Sequence, residues 1–193
     1  MRLFVTVGNA LVPFDRLLGW VDEALGALGE PVSGVCQHGP SRVRPRGLEA
    51  REGLSRGDFD AEMAGADAVV CHAGVGTLWS AIRAGHRPLV VPRRAGLGEI
   101  VNDHQLEIVD ALVREGRIVR VEGAAELASW LGRYARGELK RGAPMREDPA
   151  RLEPVAAAIA QGPARARAPL AGRALLSALA LLGPSIERMR RRP

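Results

Sequence analysis

The 193-residue chain is long enough to bury a working core, and its 47% apolar but only 4% aromatic content fits an Ala/Val/Leu-built α/β protein rather than a β-sandwich. The net charge of +5 belongs to the end of the chain. Residues 163–193 hold seven arginines and one acid, whereas residues 1–162 hold 20 basic and 21 acidic residues, so the body lacks the basic signature of a nucleic-acid-binding domain.

Residues 3–7 alternate and are rich in β-branched types, which predicts a strand ending at the Gly8-Asn9 turn. Pro13 suits the first turn of a helix, in which Leu17, Leu18, Val21, Leu25 and Leu28 recur with helical period. Residues 32–37 form a short second strand. Residues 38–57 are rich in Gly, Pro, Arg and Ser and read as a long excursion, functional or mobile, with Arg42, Arg44, Arg46 and Arg51 on a flexible surface. Asp58 is expected to cap a short helix over 59–64. Strands at 66–71, 88–92 and 117–121 then alternate with helices at 77–84 and 103–115, and helices at 124–134 and 152–160 close the domain.

Such alternation predicts an α/β, Rossmann-like parallel sheet with helices on both faces, whose ligands lie beyond the carboxyl ends of the strands. Three segments fall at that edge: Gly8-Asn9, the run from His72 to Thr77, and Asn102-Asp103-His104-Gln105. The second is an apolar strand running through a small-residue turn into a helix. It aims backbone N–H groups and a helix dipole at one point, as a phosphate requires. Gly8-Asn9-Ala10 is not the GxGxxG of a dinucleotide-binding turn, which argues against that class.

Cys36 and Cys71 match no zinc spacing and read as buried free thiols in a reducing compartment. The opening residues enter a strand with no signal-peptide layout, so a cytoplasmic location is expected. Residues 162–169 read as a linker after a domain spanning 1–161, and 162–193 as a basic tail. Within it, 174–186 is uncharged but shorter than the ~17–25 residues that cross a bilayer. Its stripe of Leu175, Leu176, Leu179 and Leu182, flanked by arginines, suits an amphipathic helix on an anionic membrane or a partner protein; an unstructured tail is the third reading.

Taken together, Phe4-Val5-Thr6-Val7-Gly8 with Pro13 to Leu18, Gln37-His38-Gly39-Pro40-Ser41, His72-Ala73-Gly74-Val75-Gly76-Thr77, and Val91-Pro92-Arg93-Arg94 through Asp103-His104-Gln105 resemble the C-terminal half of the GT-B glycosyltransferases of family 28. The likeness is greatest to small subunits of two-piece UDP-sugar transferases, such as the PssE/EpsE-like exopolysaccharide proteins and the asparagine-linked-glycosylation small subunit. It implies a UDP-sugar donor site without a metal. Ala73, Gly74, Val75, Gly76 and Thr77 would hold the diphosphate, with His72 a phosphate or sugar contact. Asp103 and Gln105 would hold the sugar, and Gly8 and Asn9 would line the cleft floor.

The sequence departs from the family at Asn9, where Thr is usual, and at Ser80, where a ribose-binding glutamate is usual; Ser80 opens the alternative of a non-catalytic nucleotide-sugar-binding or scaffolding subunit. His38, His72, His86 and His104 are the available bases, with His86 read as an exposed loop residue and His104 as either a site residue or an exposed first-turn residue. The resemblance places the base, the acceptor site and the membrane contact on a partner chain, so no catalytic residue is assigned here. Arg93 and Arg94 read either as phosphate or lipid-phosphate contacts or as a solvated basic loop. Glu99 and Glu107 read as surface or capping residues.

Overall fold

A computed structural model of the protein describes residues 1–101 and 104–144. Strand β1 (Arg2–Thr6) is followed by α1 (Asp15–Ala27), β2 (Ser33–Gln37), β3 (Glu49–Arg51), α2 (Arg56–Gly65), β4 (Ala68–His72) and α3 (Val75–Arg83). Then come β5 (Leu89–Val91), a 3-10 turn (Ala95–Leu97), α4 (His104–Arg114), β6 (Val119–Arg120) and α5 (Ala124–Ala135). All six strands are parallel, in the order β3-β2-β1-β4-β5-β6. The strand order reverses between β1 and β4, so a crevice opens beyond their carboxyl ends.

The alternation in β1 sorts side chains to two faces. Leu3 and Val5 enter a core with Leu17, Leu18 and Val21 of α1 and Leu127 and Leu131 of α5. Phe4 faces the other way and meets Phe59 of α2 edge-on, with ring centroids 5.5 Å apart. The parallel register places Thr6 beside Gln37 on one side and Cys71 on the other, so these three share the second face at the carboxyl edge. Cys36 and Cys71 are both buried free thiols, and burial pushes each up to about 12.

Three expectations need correction. The segment after β2 is no structureless excursion: it contains β3, an exposed edge strand whose Glu-Ala-Arg sequence has no apolar alternation to betray it. It is also tied to α1. The Asp15 carboxylate accepts the Arg42 and Val43 amides, and Asp22 pairs with Arg46 through its backbone N–H and both ends of its guanidinium, which holds the Asp22 carboxyl at about 2.

Helix α2 is capped by Ser55 rather than Asp58. The Ser55 hydroxyl accepts the Asp58 N–H at 3.1 Å and donates to its carboxylate, a reciprocal arrangement that satisfies one free donor of the helix end. His86, expected to be exposed, is buried. Its Nε2 lies 2.7 Å from the Met63 carbonyl, joining the turn after α3 to α2, and burial lowers its pKa. The expected helix at 152–160, the linker and the tail lie outside the described residues.

Candidate functional site

The crevice is built on the ends of β1 and β4. Gly8 leaves β1 with φ +74, a conformation that suits glycine, and its N–H donates to the Thr6 hydroxyl at 3.1 Å. Across the switch point His72 ends β4. A Cβ added to Gly8 or to Gly74 would run into the His72 imidazole, so that ring is what demands both glycines. The space beside Gly8 and Gly74 is taken by the protein's own side chain. Gly76, one residue into α3, has nothing within 4 Å of a built Cβ and is exposed, so a side chain there would meet open space.

Helix α3 starts at Val75, two residues earlier than expected, with Gly74 as its N-cap and no side chain capping it. The first intrahelical bond runs from the Leu78 N–H to the Gly74 carbonyl. The Val75, Gly76 and Thr77 amides thus lack helical acceptors, and they point out of the N-terminal end of the helix. A negative charge placed at such a helix end gains about 0.3–1 kcal/mol from the helix dipole.

His72 is neutral. Burial, reinforced by the Arg93 guanidinium, holds its pKa down to about 4, while a backbone contact with Thr6 opposes the shift without giving Nδ1 a well-formed hydrogen bond. His72 is therefore an uncharged wall of the crevice at neutral pH.

Arg93 is neither a phosphate contact nor solvated. It is 2% exposed, and its Nη1 donates to the carbonyls of Val12, Pro13 and Glu99 while its Cζ lies 4.4 Å from the Phe14 ring centroid. Glu99, expected at the surface, is the anion of this cluster. Its two carboxylate oxygens accept Arg16 Nε at 2.8 Å and Nη2 at 2.7 Å, and it also accepts the Arg94 N–H. These residues clamp the loop after β1 to the loop after β5. Arg94 turns outward and pairs with Glu122.

A second polar cluster, missed in the sequence, lies under Asn9. The Thr6 hydroxyl donates to Gln37 Oε1 at 2.6 Å, and Gln37 Nε2 donates to Asn9 Oδ1 at 3.0 Å. Polar residues at the inward ends of two apolar strands were the available signal. Ser80 is half-buried within α3, Ala73 is buried, and His38 is buried with Nδ1 2.6 Å from the Gly39 carbonyl. The structure thus brings Gly8, Asn9 and the run from His72 to Thr77 to one edge. Asp103 and the side chains of His104, Gln105 and Glu107 lie outside the described residues.

Six parallel strands with the switch point at β1 and β4 form a Rossmann-like α/β fold like that of GT-B glycosyltransferases. The glycotransferase of kitacinnamycin has this fold, with a TM-score of 0.54 at 18% identity; the match covers 92% of this chain and 39% of that enzyme, so the chain spans about two fifths of its length. The solution structure of ALG13 matches at TM-score 0.49 and 16% identity, over 80% of this chain and 94% of ALG13. SnogD from Streptomyces nogalater matches at 0.47 and 19%, over 83% and 43%. No curated protein sequence matches. The family described as the glycosyltransferase family 28 C-terminal domain matches residues 52–151, and the chain belongs to it.

Proposed function

We propose that this glycosyltransferase domain is the donor-binding half of an inverting, UDP-sugar-dependent transferase. It acts with a membrane-associated partner chain, resembling the N-terminal half of GT-B enzymes, on a lipid-linked acceptor in polysaccharide or glycolipid synthesis. The observation that carries the reading is the uncapped N-terminus of α3 at the switch point, with open space over Gly76. There the Val75, Gly76 and Thr77 amides would hold the diphosphate and stabilise it as it leaves, each donor contributing about 2.7–4 kcal/mol by analogy with oxyanion holes. Main-chain amides are given this task, and no metal is invoked.

His72 would hold the ligand without changing charge, and Asp103 and Gln105 would hold the sugar. The base that deprotonates the acceptor is assigned to the partner on the strength of the family resemblance; among the described histidines, burial lowers the basicity of His72 and His86, and His38 Nδ1 lies against the Gly39 carbonyl. The expected location is cytoplasmic, at the inner face of a membrane; among the described residues no helix is long and apolar enough to cross one. Calorimetry with UDP on the chain alone, followed by transfer assays with and without the co-expressed neighbouring reading frame, tests the proposal. UDP binding by the lone chain and turnover only with the partner are expected; robust turnover by the lone chain refutes the division of labour.

The half-buried Ser80 keeps a second reading open, a binding or scaffolding subunit with a degenerate site. A serine is too short to accept two ribose hydroxyls as a carboxylate would. A large gain in UDP affinity from Ser80→Glu, with no turnover alongside any partner, would favour it.

A further inference from the structure

The Thr6–Gln37–Asn9 cluster has a direction. The Thr6 hydroxyl is fully buried and accepts the Gly8 N–H, so its single proton must find another acceptor, and Gln37 Oε1 lies 2.6 Å away. That fixes the Gln37 amide, itself 3% exposed, with its oxygen toward Thr6 and its Nε2 toward Asn9. Reversing the amide would leave a buried hydroxyl proton with no acceptor. Asn9 must therefore offer its Oδ1 to Gln37. Its Nδ2, on an exposed residue at the carboxyl end of β1, has no partner among the described residues.

We infer that Thr6 and Gln37 are positioning residues: they lock the Asn9 amide so that the crevice floor presents a hydrogen-bond donor, selecting a ligand that places an acceptor oxygen there. The selection is made by buried side chains that touch no ligand. A Thr at position 9 could rotate its hydroxyl to give or to accept, whereas the locked amide can only give. The inference rests on the donor-site reading above and names what orients one of its contacts. The oxygen taken there is one of a nucleoside diphosphate or of its sugar.

The test measures UDP affinity by calorimetry on the full chain, for the wild type, Gln37→Glu, Asn9→Ala and the double variant, with thermal unfolding as a check on folding. Gln37→Glu keeps the shape and still accepts from Thr6, but at pH 7.5 the carboxylate cannot donate to Asn9. The Asn9 amide then turns its donor inward and shows its oxygen to the crevice. At least a fivefold loss of UDP affinity is expected. The loss should shrink, relative to the wild type at the same pH, as the introduced carboxyl protonates and regains a donor. In the Asn9→Ala background the same substitution should change affinity less than twofold.

Thr6 supplies a second arm if Gln37→Glu does not fold. Thr6→Ser keeps the hydroxyl and should bind as the wild type does. Thr6→Val keeps the shape, loses the proton, and should lose affinity; a merely structural role predicts the reverse order. Wild-type affinity for Gln37→Glu, an equal loss with and without Asn9, or Thr6→Val binding better than Thr6→Ser overturns the inference alone. Absence of UDP binding by the wild type overturns the donor-site reading and this inference with it.

Discussion

Glu99→Gln tests the clamp that holds the crevice loops together. The carboxylate accepts three charge-assisted bonds, two from Arg16 and one from the Arg94 amide, and lies beside the buried Arg93. The Glu99 and Arg16 side chains are only 10% and 18% exposed, so little solvent screens the pair. A glutamine keeps the shape but loses the charge, and it presents an NH2 to a guanidinium that can only donate. Breaking one partner of a buried pair costs about 3–5 kcal/mol, and the residual exposure argues for the lower end, about 3 kcal/mol. For a chain of this size that is a fall of roughly 6–12 °C in Tm.

Urea and thermal unfolding followed by circular dichroism at pH 7 measure this directly, and the pH dependence adds a second readout. Burial alone would raise the Glu99 pKa, but the Arg16 bonds, the Arg94 amide and the two guanidinium charges outweigh it, and the net shift is downward. The folded-state pKa therefore lies below the unfolded value of about 4.3, so this stability is full above that value and is lost as pH falls through the folded one. The gap between wild type and Glu99→Gln should close on acidification below about pH 4. A variant within ~1 kcal/mol of the wild type at pH 7, or a gap that persists unchanged to pH 3, refutes the reasoning.

His72, with its pKa near 4, should show no imidazole titration by NMR between pH 8 and 5, and its depressed value makes stability fall as pH drops from about 6.5 toward 4; a midpoint near 6.5 would contradict the desolvation of its ring. Gly76→Ala should leave unfolding unchanged or slightly improved but weaken UDP binding, because its methyl enters the free space over the amides. Gly74→Ala must displace the His72 ring and should be destabilised; equal stability for the two variants would refute the packing around His72. Cys36 and Cys71 should resist a disulfide reagent in the native state and react once unfolded, since burial pushes both to about 12; rapid native labelling would show the strand ends to be open.

The fold was legible because β1, β4 and β5 have short apolar runs with β-branched residues and the major helices have an apolar stripe, as in α1 with Leu17, Leu18 and Val21. The small-residue run from Ala73 to Thr77 likewise reported its own backbone chemistry. Strand β3 was illegible: an exposed edge strand is held by ladder hydrogen bonds to β2, and those leave no mark on side-chain polarity.

Pairings between distant residues were decided only by the tertiary structure. Sequence shows Glu99 and Arg93 as charges in a polar loop, and only the folded chain brings them to Arg16, more than seventy residues away, and out of solvent. It shows Gly8 and Gly74 as two small residues, and only the fold shows that both make room for His72. Local patterns determine which elements form and where backbone donors are exposed. Charge state, amide orientation and the true location of free space depend on neighbours that the chain supplies from afar, through burial and hydrogen bonds no local spacing encodes.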